Sequence, residues 1–346
     1  STSGNLSMGT VTGSSSNLTI SEGTGTVTVG AANLGTGNLT VTSTATPSSG
    51  SAISLAAVTA GAVSLTGAGD VSVSGAVSAT SVNAKSTAGN VIFATDVTTS
   101  GIGGFTSEAT AAAKATQLGD TVLVQNGASA LVTGNVVTTA GFNTGAGIRP
   151  GINVTGTATI NITGKVDAAS AGNDIDFTAL NGAITIGGAV GSSTTAMGDL
   201  FASGNTSFTA SSTVTVEQLN VSSFGTSISF ADAVKVGGTI GAIVSSTGTG
   251  TISFAKTIES TSNLADVVIT SVNGALTVTG NITGKDLVTI SSTSGNISVA
   301  GITTDQANAD ITIANGTGNI TTSGAISTSG ATADIDIDTV TSGNIT

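Results

Sequence analysis

Three segments near the C-terminal end carry one motif at nearly constant spacing. Gly274-Ala-Leu276-Thr-Val278-Thr-Gly280 is followed by Gly295-Asn-Ile297-Ser-Val299-Ala-Gly301 and then by Gly318-Asn-Ile320-Thr-Thr-Ser-Gly324. Each has a glycine, an apolar residue two positions later and a second glycine six positions after the first. A fourth start, Gly343-Asn344-Ile345, follows in phase. Within each unit a second alternating run recurs: Leu287–Ile290, Ile311–Ile313 and Ile335–Ile337. The middle of the chain repeats with a similar period around Phe208, Phe230 and Phe254, each preceded by Ser. A weak period of about 22 residues, made of short β-branched runs bounded by Gly, Asn and Ser, is the signature of stacked β-coils.

In a strand, alternate side chains point to opposite faces. Val27–Val29, Val63–Leu65, Val71–Val73, Ile184–Ile186 and Val214–Val216 therefore turn their apolar residues inward and Ser or Thr outward. The fold class expected is all-β: one right-handed parallel β-helix, or β-solenoid, of roughly 15 coils over 1–346. At about 4.8 Å per coil it would extend on the order of 75 Å. Stacking puts Asn296, Asn319 and Asn344 in an amide ladder and Phe208, Phe230 and Phe254 in an aromatic stack. Sequons such as Asn5-Leu-Ser and Asn17-Leu-Thr are read as strand starts of the same kind. Three breaks in the pattern are expected to be insertions. Residues 105–118 are Ala-rich and predict a helix with Ser107 as N-cap. Residues 140–153, with Arg149-Pro150, and residues 191–205 predict loops.

Composition narrows the chemistry. The 346 residues include no His, Cys, Trp or Tyr. This removes zinc sites of the usual kinds, histidine acid–base catalysis and Ser-His-Asp or Cys-His nucleophiles. Seven Lys and Arg against 19 Asp and Glu give a net charge of −12, which argues against nucleic acid as a partner. No apolar run is long enough for a membrane helix. The acidic group Asp310, Asp334 and Asp336 is the one candidate metal site. Stacked coils bring its carboxylates together, and calcium is the ion such oxygens would take. Calcium is the one cofactor considered. The same carboxylates at strand spacing suit a glycosidase pair, but no aromatic platform or basic partner accompanies them, so no catalytic residue is assigned.

The Gly295–Gly301 and Gly318–Gly324 repeats resemble those of filamentous-haemagglutinin-type adhesins and autotransporter stalks, and also fit bacterial surface-layer proteins. The resemblance implies an extracellular, cell-surface structural protein: an inert shaft of an adhesin or of a self-assembling matrix fibre, with a surface-layer lattice as the alternative. The partners it implies are further copies of the chain and cell-surface or matrix polysaccharide. The open phase at Gly343–Thr346, and a start without Met or signal peptide, lead to the expectation of a segment of a longer protein. A carbohydrate-active enzyme or an ice-binding solenoid are the remaining readings. The drifting period speaks against the latter.

Overall fold

The structure is a computed structural model and describes residues 3–139, 150–192, 197–339 and 341–346. Among these residues every regular element is a strand. Strand pairs are parallel throughout, and the coils form a β-solenoid of about 14 turns, consistent with the right-handed parallel β-helix the repeat predicts. The chain divides into two compact units, Ser1–Ala169 and Ser170–Thr346.

In the first unit each coil contributes to three strand rows. One row runs Leu6–Met8, Val27–Val29, Ile53–Leu55, Val71–Val73, Val91–Phe93, Ala115–Leu118, Asn135–Thr138, Val166–Ala168. A second begins at Val11–Thr12 and a third at Leu18–Glu22. Two long strands, Val77–Ser86 and Val97–Ala109, pass from the second row into the third. Where they pair with each other, a register shift falls between Ala79 and Ser81. The second unit repeats the plan. Its rows begin at Ile184–Ile186, at Val214–Phe224 and at Ile175–Ala179.

Register holds within a row although coil length does not. Asp70 meets Asn90 after 20 residues, while Asn135 meets Lys165 after 30. The difference is absorbed in the corners. A strand slipped by one residue would turn its inward set to solvent, so burial fixes the register that loop length leaves free. The core is a file of Val, Ile, Leu, Ala and Phe; Val27, Leu39, Ile184, Ile228 and Ile269 are fully buried. At about 1.5–3 kcal/mol for each large apolar side chain, this burial is the main term holding a coil to its neighbours.

Two expected insertions are strand. The stretch 105–118 contains the end of Val97–Ala109 and all of Ala115–Leu118, with a short turn between. Phe105, Ser107 and Ala109 alternate inward, so period two overrides the helix propensity of the alanines. Ser107 is not an N-cap: it is buried, and its hydroxyl shares a 2.7 Å hydrogen bond with Thr116. In 191–205, Met197–Gly204 is a strand with Met197, Leu200 and Ala202 buried; residues 193–196 lie outside the described ones. Of 140–153, residues 140–149, including Arg149, lie outside them too, and Gly151–Val154 is a strand.

Candidate functional site

The sites that recur along each unit are at the corners. The Asn or Asp immediately before a strand's first buried residue turns its side-chain oxygen to the backbone of the next coil. The Asn319 N–H donates to Asn296 Oδ1 at 2.9 Å, and the Asn344 N–H to Asn319 Oδ1 at 3.0 Å. The three asparagines thus form a staircase from side chain to backbone in place of the expected amide-to-amide ladder. The same step links Asn5 to Thr26, Asn17 to Asn38 and Asn38 to Ala62 at 2.8–3.0 Å in the first unit. Aspartates serve equally. Asp70 accepts from the Asn90 N–H at 2.7 Å and Asp174 from the Asp199 N–H at 2.8 Å. Corner amides that have left the strand ladder need such acceptors. Asn296→Ala is expected to cost about 1 kcal/mol and to speed hydrogen exchange at the Asn319 amide, while Asn296→Asp leaves both nearly unchanged. An Asn319 amide that exchanges at its old rate would count against the staircase.

Asp310 is a step of this kind. Its Oδ1 accepts from the Asp334 N–H at 2.8 Å, so the two aspartates do stack. Asp336 lies opposite Thr312, and both Asp334 and Asp336 are exposed. No group of three metal-ligating acids is gathered among the described residues. The staircase gives Asp310 a structural task, and a cation drawing on Oδ1 would compete with it.

The phenylalanines lie one above the other in the core. Phe208 and Phe230 are 5.4 Å apart between ring centroids, and Phe230 and Phe254 are 4.6 Å apart and nearly parallel. Phe224, from a different row, adds a ring 5.9 Å from Phe208.

Sequence reasoning missed a second device. Polar residues at inward positions close the glycine turns from inside. The Ser86 hydroxyl donates to the Gly69 carbonyl and accepts from the Gly89 N–H, both at 2.8 Å. Ser271 donates to the Gly274 carbonyl at 2.8 Å, Ser292 accepts from the Gly295 N–H at 2.9 Å, and Asn315 accepts from the Gly318 N–H at 3.1 Å. The signal in the sequence is a Ser or Asn three residues before the turn glycine.

Charges are placed coil against coil. Lys85 pairs with Glu108 at 2.8 Å, Lys235 with Glu259 at 3.7 Å, and Lys285 with Asp305. The hydrogen bonds from Lys85 and Lys285 hold the Glu108 and Asp305 carboxyls below their usual range. These pairs stabilise the fold above the unfolded carboxylate pKa and lose that contribution as pH falls through the folded one. Asp96 behaves oppositely. Burial, then the neighbouring Asp120, push its carboxyl up. The folded state takes up that proton more readily, so the ionised Asp96 costs stability at neutral pH and the cost vanishes in acid. Asp96→Asn is therefore expected to raise the thermal midpoint at pH 7, with the gain shrinking as pH falls through the carboxylate range. An equal gain at pH 7 and pH 4 would contradict this.

One outward column is unusually regular. In the second unit Thr185, Thr209, Ser229, Ser253, Thr277, Ser298 and Thr321 are in strand register over seven successive coils. No helix among the described residues is long and apolar enough to cross a membrane. Comparison of the chain with protein-family models, with curated proteins and with solved structures finds no match.

Proposed function

We propose that the chain is an extracellular structural protein, a stiff β-solenoid shaft of a cell-surface adhesin or of a self-assembling matrix fibre. The observation that carries the reading is the direction of the bonds. Strand pairing, the Asn and Asp staircase, the ion pairs and the inner bonds from Ser86 to Gly69 and from Asn315 to Gly295 join one coil to the next. Side chains engaged in this way support a scaffold. Asp310, one of the three acids of the candidate metal group, is among those so engaged. Few charged side chains, 8% of the chain, leave outer faces of small polar groups on which copies can pack closely.

Electron microscopy of the native protein, with and without calcium, tests this reading. Long unbranched fibres in both conditions are expected. A two-dimensional sheet that dissolves on chelation would replace the shaft by a surface-layer lattice and restore calcium to Asp310, Asp334 and Asp336. Isolated particles in both conditions would overturn self-assembly. The hydroxyl column of the second unit favours one other reading, a water-ordering or ice-binding solenoid. Drift in the period no longer opposes it, because the corners absorb the drift. Thermal hysteresis in a freezing assay would select that reading.

A further inference from the structure

One face of the second unit departs from the polar surface around it. It is the outer side of the row that begins at Ile175–Ala179. The corner leading into this row is Glu217 alone in one coil, then 237–240, 261–265 and 285–287 in the coils that follow. Where the corner is longest it carries Ile240 and Leu264, 48% and 61% exposed. The strands behind it continue the apolar surface. Ala242 and Val244 are buried, so Ile243 faces out; Val267 and Ile269 are buried, so Val268 faces out. Ile243 and Val268 are opposite each other in register, and the exposed Val272 follows just past the end of the second strand. Ile240, Ile243, Leu264, Val268 and Val272 thus share two successive coils.

Polar groups surround this patch. In the same outward column Asn220 precedes Ile243, and Thr289 and Thr312 follow Val268. The next column is Ser245, Thr270 and Ser291. An apolar centre inside a polar rim is the build of a docking surface. Charges of opposite sign stand at its two ends along the corner. Glu217, one coil before Ile240, is exposed and has no ion-pair partner among the described residues. Lys285, one coil after Leu264, bonds Asp305, which uses one of the three N–H donors of its ammonium.

We infer that this face pairs with the same face of a second copy, the two stacks antiparallel about a two-fold axis that runs along the strands between Ile243 and Val268. The axis sets Ile243 against the second copy's Val268, Ile240 against its Leu264, Asn220 against its Thr289 and Glu217 against its Lys285, each pairing made twice. Apolar meets apolar, amide meets hydroxyl and acid meets base. An axis along the stack would set each coil against itself and leave Glu217 without a base, since Val214–Phe224 holds no Lys or Arg. Further out, Asp176 would meet the second copy's Asp336, so the contact ends where like charges begin. Over the six coils from Phe201 to Thr312 the face measures roughly 29 Å by 17 Å, so the pair buries on the order of 1,000 Å² in total. That is the size of a weak contact, with a Kd on the order of 100 μM, strengthened where copies are already held side by side. The inference rests on the reading that copies of this chain associate, and it names the face they use.

Disulfide cross-linking of the full chain tests the pairing, because the chain has no cysteine of its own. Ile240→Cys protein mixed with Leu264→Cys protein should cross-link under mild oxidation about tenfold faster than Ile102→Cys mixed with Leu264→Cys, Ile102 being the exposed isoleucine of the first unit. It should also outpace Val268→Cys with itself, the pair that an axis along the stack would favour. Adding Val268→Asp to both partners should slow the 240–264 cross-link about tenfold, and adding Ile102→Asp should leave it unchanged. Circular dichroism of each variant checks that these outward substitutions leave the strands intact. A 240–264 cross-link no faster than the 102–264 control, a faster 268–268 cross-link, or indifference to Val268→Asp overturns the inference. Fibres without the 240–264 preference would refute this face alone, and the preference without fibres would refute the fibre alone.

Discussion

Gly295→Ala is expected to force adjacent coils apart. A Cβ at this position would sit 1.9 Å from the Gly274 carbonyl oxygen and 2.4 Å from its carbon, both backbone atoms with nowhere to go. The neighbours are built alike: a Cβ on Gly274 would meet the Gly250 oxygen at 1.8 Å, and one on Gly318 would meet the Gly295 oxygen at 2.4 Å. In this corner column each carbonyl occupies the volume that a side chain would need in the next coil. Opening the corner also strains the Gly295 N–H bond to Ser292 and the Leu276 N–H bond to the Asn296 carbonyl. A loss of about 3 kcal/mol follows from overpacking with the added loss of corner bonds. Gly237→Ala is the control. Its Cβ would meet only the Thr261 hydroxyl, at 3.2 Å, and the cost should stay within about 0.5 kcal/mol. Denaturant unfolding of the two variants side by side measures the contrast, and similar midpoints would refute the column argument.

Phe230→Ala is the second large effect. The ring is fully buried and touches Phe208 above and Phe254 below. Truncation removes the transfer energy of a large side chain and leaves a cavity that strands pinned by their ladders cannot close, for a cost of about 3–5 kcal/mol. Phe230→Leu keeps most of the volume and should lose only about 1.5 kcal/mol. Thermal unfolding followed by circular dichroism orders the two. If alanine and leucine cost the same, the stack contributes through something other than filled volume.

The repeat was legible wherever period two and spacing agreed. Val71–Val73 and Ile297–Val299 state their inward residues outright, and the Ile-Ser-Phe runs place Phe230 over Phe254. The staircase was half legible. Asn296, Asn319 and Asn344 were correctly placed in a column, but their partners are backbone amides, which residue identities do not display. Positions with a polar residue facing in were misread. Ser107 and Thr116 break the apolar alternation, and the alanines between them then look helical, although the two hydroxyls satisfy each other inside. Met197–Gly204 was obscured by glycine: Gly198 and Gly204 take buried positions without an apolar side chain to mark them.

Parallel pairing sets how a unit of this kind responds to force. Its interstrand bonds point along the stacking direction, so a pull on the chain ends parallel to the stack loads the coils in series. Every coil carries the same tension, and the terminal coil, paired on one side only, peels first. Each release frees about 22 residues, roughly 7 nm of contour length, before the next coil is engaged. Extension should then proceed as a train of small steps at modest force, longer where a coil has 30 residues than where it has 20. A sideways load is shared by three strand rows at once and meets a far stiffer body.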